Sequence, residues 1–253
     1  MGSLPVVLLH AFPLNRELFA VQHQALSEAG HRVLTPDLRG YGGNRTQSLP
    51  SAESLDVMAD DVASLLDSHG IDRAVIGGLS LGGYVTLAFL RRHRDRAAGL
   101  VLMDTRASAD DAQGRAVRLA FADKVDSAGV GWIPEAMMAG LLFDPTSEQQ
   151  AQVRSWILAA NPAAVAWTQR AMAHRADTMG LLGSFEGPVL VVVGEQDALT
   201  PPAMALAMAQ ACADAQLVQI PGCGHLSATQ KPDEVSLSIL DWLGQHATDF
   251  AMR

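Results

Sequence analysis

Cysteine is scarce in this chain, with Cys212 and Cys223 the two copies among 253 residues. Two thiols cannot make the disulfide framework of a small secreted scaffold, and their spacing is not that of a zinc site. Aromatic residues are few as well, at 5%, so the core must be built from the aliphatic side chains and alanines that dominate a 49% hydrophobic composition. Positive charge is in short supply. Lysine and arginine number 18 against 27 acidic residues, and the net charge of -9 would repel phosphate backbones and anionic head groups. Nucleic acid is therefore not expected as a partner. The densest basic stretch, Arg91, Arg92, Arg94 and Arg96, falls where a helix should end and reads as dipole complementation on a solvated face. No apolar run approaches the roughly 18 residues of a membrane span. The opening "LPVVLL" turns polar after Leu9 and has no basic residue before it, so neither a span nor a cleavable leader is read there and a cytoplasmic protein is expected. There is no H-E-x-x-H, no G-x-G-x-x-G and no P-loop, so no metal or nucleotide cofactor is expected. A homodimer is left open.

What is present is a rhythm. Short β-branched runs occur at 5–9, 31–36, 73–78, 98–104, 188–194 and 215–221, continuous rather than alternating in hydrophobicity. Such runs belong to strands covered on both faces, as in a parallel sheet. Helical patterns separate them at about 16–29, 54–69, 81–93, 201–212 and 232–246. The expected fold class is α/β, a doubly wound, mostly parallel sheet of about six strands. The rhythm stops after Asp104 and resumes near Gly187, and the interval holds four helical stretches near 110–126, 132–142, 147–160 and 163–175. These predict an inserted four-helix cap over 107–185, with 1–106 and 186–253 forming the core. Apolar cap residues such as Phe121, Trp132, Met137 and Leu141 must face one another or a pocket below.

The stretch "AVIGGLSLGGYV" spends Gly77, Gly78, Gly82 and Gly83 in a short apolar run. Gly78-Leu79-Ser80-Leu81-Gly82 is a G-x-S-x-G sequence between an expected strand and an expected helix. A turn that tight strains the serine backbone, and side chains two residues to either side would collide with the strand and the helix. The strain exposes the Ser80 hydroxyl at a helix N-terminus. A glycine-rich turn with a capping serine explains the same residues without chemistry, so a base must be found.

Of the eight histidines, His225 alone lies in a glycine-containing loop, "IPGCGHLS", directly after the last strand. That loop is at the carboxyl edge of the sheet, where open α/β sheets bind ligands and where Ser80 emerges. Asp197, in "VVVGEQDALTP", is the candidate for orienting the histidine, and a turn or cap role near Thr200 is its bland reading. Asp104, in "VLMDTRA", is the reserve acid. For an oxyanion, the backbone amides of Leu81 and Phe12 are the expected donors, the latter from "LLHAFPLN". His10 reads as a buried brace for that turn.

With "HAFP", "PDLRGYGGN", "GGLSLGG", "GEQDALTP" and "GCGHLS" in this order, nearly the whole chain resembles the α/β-hydrolase superfamily. The resemblance implies Ser80 as nucleophile, His225 as general base and then acid, Asp197 as its partner, and a serine esterase acting on small to medium carboxylic esters through an acyl-enzyme. Lactonase, thioesterase and carbon-carbon bond hydrolase activities use the same residues and stay open, as does a non-catalytic ligand receptor. Ala11 and Leu79 depart from the usual pattern, and the first two strands of the family are missing. An apolar, aromatic-poor pocket and an uncharged acyl ester are expected.

Overall fold

The computed structural model describes residues 4–252, so residues 1–3 and 253 of the expected core lie outside it. Six strands form one sheet: β1 (Val6–Leu9), β2 (Val33–Leu34), β3 (Ala74–Leu79), β4 (Ala97–Met103), β5 (Val189–Gly194) and β6 (Ala215–Ile220). Their order is β2-β1-β3-β4-β5-β6, and every neighbouring pair is parallel. From β1 the chain steps outward to β2, then returns to place β3 on β1's other side. The carboxyl ends of β1 and β3 therefore flank the point where winding direction reverses, the place where helices leave a crevice at the sheet edge.

Every residue of β1, β3, β4 and β5 is buried, which is why these runs are continuously apolar. Each fully buried valine, leucine or isoleucine contributes about 1.5–3 kcal/mol relative to exposure. Edge strand β6 is mostly half-buried, and its sequence admits Gln216 and Gln219. The run at 31–36 yields a two-residue strand, because β2 finds partners only at Val6 and Val7 of β1.

Helices α1 (Ala20–Glu28), α2 (Leu55–Ser68) and α3 (Leu81–Arg92) follow the first three strands, and the expected helix at 16–29 opens as a 3-10 turn over Arg16–Phe19. Between β4 and β5 lie α4 (Ala112–Ala128), α5 (Ile133–Leu141), α6 (Ser147–Ala159) and α7 (Pro162–Ala173), the four expected helices. A short α8 (Met179–Ser184), α10 (Ser227–Gln230) and α12 (Ala247–Met252) have no counterpart in the sequence reading, while α9 (Pro202–Ala211) and α11 (Pro232–Gln245) do. The starts carry local reasons. Asp111 caps α4 by accepting from the Gly114 amide, and Thr146 and Gln149 form a capping box at α6.

The basic stretch that ends α3 and continues beyond it is paired as well as solvated. Arg91 and Arg92 meet Asp56 and Asp60 of α2, and Arg96 meets Asp67. No helix among the described residues is long and apolar enough to cross a membrane.

Candidate active site

β3 ends at Leu79 and α3 begins at Leu81, leaving Ser80 as the single link, with φ 55° and ψ -108°. That conformation is strained for a non-glycine residue and is held from both sides. The Ser80 amide donates to the Met103 carbonyl at 2.9 Å, and its carbonyl accepts from the Tyr84 amide at 3.1 Å and the Thr105 hydroxyl at 2.9 Å. The glycines explain how the turn closes. A Cβ on Gly82 would lie 1.9 Å from the Leu9 carbonyl oxygen, and one on Gly78 would lie 2.3 Å from the Gly82 carbonyl carbon. Gly77, whose purpose the motif did not reveal, admits the Val101 side chain of β4, which would sit 2.7 Å from its Cβ.

Ser80, His225 and Asp197 come from three different strand ends and meet in one line. His225 Nε2 lies 2.8 Å from Ser80 Oγ, and His225 Nδ1 lies 2.8 Å from Asp197 Oδ2. An ionised carboxylate can only accept, so Nδ1 carries the proton and Nε2 is free to accept from the serine hydroxyl. Asp197 and His225 are each 3% exposed. Burial opposes ionisation of Asp197, but the hydrogen bonds from His225 and Thr200 outweigh it and hold the carboxyl below its ordinary value. Oδ1 accepts from the Leu199 and Thr200 amides at 2.8 and 2.9 Å, and the Thr200 hydroxyl donates to Oδ2 at 2.6 Å. The turn role and the histidine contact thus coexist in one residue.

Asp104, the reserve acid, has no hydrogen bond to His225 among the described residues. Its carboxylate accepts from the Gly194 amide at 2.8 Å, the Ser227 amide at 3.2 Å and the Ser227 hydroxyl. Complete burial pushes its pKa up to about 7, against the opposing pull of His225. It fastens the end of β5 to the loop bearing His225. Gln230, another residue without a motif, holds that loop from the far side, accepting from the Gly224 and Phe143 amides through Oε1 at 2.9 and 3.1 Å.

The Phe12 and Leu81 amides find no acceptor in the chain among the described residues. Behind Phe12, His10 Nδ1 meets the Ala11 carbonyl at 2.9 Å, and Nε2 accepts from the Leu38 amide at 2.9 Å. Burial lowers the pKa of His10 to about 4, so it stays neutral and serves as the brace. The Asp37–Gly42 turn has the same structural character: the Asp37 carboxylate accepts from the Arg16 and Gly43 amides, each at 2.8 Å.

A cavity of about 460 Å³ opens above Ser80 and His225, roofed by residues of α4, α5 and α7. Phe12, Tyr84, Phe121 and Trp132 line it, so the aromatic-poor pocket expected from composition is corrected: four aromatic side chains share this one cavity wall. Met137, Leu141 and Met172 add apolar wall, but Arg106, Asp110 and Arg118 line it too, and uniform apolarity is also corrected.

Comparisons with known proteins bear on the fold and the family. A thermophilic esterase from Thermogutta terrifontis superposes with a TM-score of 0.93 at 39% identity, over 97% of this chain and 91% of that one. The enol-lactonase from Burkholderia xenovorans LB400 gives a TM-score of 0.86 at 26% identity, over 96% of this chain and 92% of that one. Similarity to the AB hydrolase superfamily protein YisY of Bacillus subtilis is more local, 34% identity over 89 residues, spanning 35% of this chain and 32% of that protein. The family profile described as alpha/beta hydrolase fold matches residues 5–232. This chain therefore belongs to the α/β-hydrolase family, and hydrolase activity is what its relatives support.

Proposed function

We propose that this protein is a serine esterase that cleaves small to medium carboxylic esters through an acyl-enzyme. The observation that carries the reading is the Ser80–His225–Asp197 line, two 2.8 Å contacts at the floor of a cavity. His225 Nε2 takes the hydroxyl proton as Ser80 Oγ attacks the ester carbonyl. The carbonyl oxygen, now an oxyanion, is received by the Phe12 and Leu81 amides, whose lack of another acceptor among the described residues supports that role. The tetrahedral adduct collapses, His225 protonates the departing alcohol, and the acyl group stays on Ser80. Water repeats the sequence: His225 accepts its proton, the carboxylic acid leaves, and Ser80 recovers its hydrogen. Asp197 holds the histidine tautomer and offsets the imidazolium charge.

The helices of 107–185 act in this reading as a lid over a core of 1–106 and 186–253. A lactone is a cyclic ester that meets the same groups, and the likeness to the enol-lactonase supports lactones as a second substrate form.

A fluorophosphonate probe tests the reading. It should leave one adduct, on Ser80, absent in Ser80→Ala and strongly reduced in His225→Ala, alongside turnover of p-nitrophenyl acyl esters. Labelling without turnover of any ester or lactone would instead indicate a ligand receptor.

A further inference from the structure

The roof of the cavity carries more positive charge than its own chain balances. Asp110, just before α4, is buried, and three guanidinium groups converge on its carboxylate. Arg106 pairs with Oδ1, while Arg118 Nε and Arg175 Nη1 each lie 2.5 Å from Oδ2. Burial resists ionisation of Asp110, yet the Arg175 and Arg118 contacts hold its pKa below the ordinary value. One carboxylate thus faces three permanent cations, a surplus of two positive charges.

In two other clusters of ion pairs among the described residues the ratio is even or reversed. Arg170 faces Asp123 and Asp126, and Arg91 and Arg92 share Asp56 and Asp60. The excess around Asp110 stands out further in a chain of net charge -9. Unbalanced charge in a partly desolvated place is costly, which favours an incoming anion. The Nε groups of Arg106 and Arg175 are buried with no partner among the described residues.

Part of the surplus reaches the cavity of the reacting serine, where two of the three arginines stand against Asp110 while Arg175 lies outside the lining. Arg106 and Arg118 line the same cavity as Ser80 and His225, and no carboxylate other than Asp110 does so among the described residues. Tyr84 connects the two, one turn beyond Ser80 on α3. Its ring centre lies 4.3 Å from the Arg175 guanidinium carbon and 5.9 Å from that of Arg118.

We infer that this arginine cluster recognises a free carboxylate on the substrate, so that the preferred substrates are esters bearing an ionised carboxyl group a few bonds from the scissile carbonyl. This rests on the ester-hydrolase reading and names the substrate class of the same site, replacing the uncharged acyl ester expected from composition. Hydrolysis of such a half-ester consumes one water and breaks the acyl–oxygen bond, giving a dicarboxylate and an alcohol. If the carboxylate is on the alcohol side, the products are a simple acid and a hydroxy acid.

The test compares each anionic ester with its methyl-capped neutral twin on the wild-type enzyme. Mono-p-nitrophenyl succinate and glutarate form the acyl-side arm, and acetoxyacetate forms the alcohol-side arm. In at least one arm kcat/KM should favour the anion by about tenfold to a hundredfold, the usual range for a charge-assisted contact. Arg118→Gln should cut that ratio by about tenfold or more, and Arg118→Lys should restore part of it. A purely structural cluster would lower both rates together and leave the ratio unmoved. Equal rates, or preference for the neutral twin in both arms, overturns the carboxylate site while leaving the esterase reading standing. No turnover of any ester, with no labelling of Ser80, overturns both.

Discussion

Asp104 and Asp197 follow neighbouring strands at one edge of one sheet, both buried, and the fold puts them to different uses. Asp104 comes immediately after β4, where its own amide still bonds to the Val192 carbonyl of β5 at 2.9 Å, and its carboxyl is spent on Gly194 and Ser227. Asp197 comes three residues after β5, far enough along the loop for its carboxyl to reach His225 at 2.8 Å. Burial raises the first to about 7, whereas His225 and Thr200 hold the second below its ordinary value. Residue type and strand-end position are shared, so what separates the roles is the length of loop beyond the strand and the partner it reaches.

The sharpest way to break this contrast is a pair of isosteric substitutions. Asp197→Asn should lower kcat for ester hydrolysis by about ten-thousandfold with circular dichroism unchanged, because the amide favours the wrong histidine tautomer. Asp104→Asn should cost no more than about tenfold, through looser placement of the His225 loop. A reversed order would transfer the orienting role to Asp104.

Titration gives a second contrast, smaller in size. In the fold Asp104 keeps its proton to about pH 7, whereas the unfolded chain loses it near 3.8. Between those values the folded state binds more protons, so the Asp104 contribution to stability falls as pH rises and levels off above 7. Urea unfolding from pH 4 to 8 should show the wild type losing stability relative to Asp104→Asn across that window. A parallel pair of curves would mean that Asp104 ionises normally.

Thr200→Val should have the smallest effect. It removes the 2.6 Å hydroxyl contact to Asp197 Oδ2, the oxygen that faces His225. One net hydrogen bond of about 1 kcal/mol corresponds to about a fivefold change in rate and a similar loss in stability, read from steady-state kinetics and thermal unfolding. An effect as large as that of Asp197→Asn would make Thr200 a necessary part of the acid rather than its support.

The chain itself marked the strands and the Ser80 turn, because apolar runs and the G-x-S-x-G spacing are written in residues close in sequence, whereas the reversal of winding came from the pairing of β3 with β1. Continuous β-branched runs need burial on both faces, and Gly78 is demanded by the Gly82 carbonyl carbon, four residues on and 2.3 Å from where its side chain would begin, whereas Gly82 answers to Leu9 of β1, a neighbour only in the fold. His225 could be singled out because its loop directly follows a strand. Tertiary structure alone decided between Asp104 and Asp197, since both satisfied the local rule and only the packed loops show which carboxyl reaches the imidazole. It alone also revealed Thr105, Thr200 and Gln230 as supports, and the meeting of Arg106, Arg118 and Arg175 on Asp110. Those arginines occupy the segment after β4, helix α4 and the segment after α7, and no short-range pattern records that they converge. Local sterics act between neighbours and can be read along the chain, whereas a charge surplus is a sum over groups that only folding brings together.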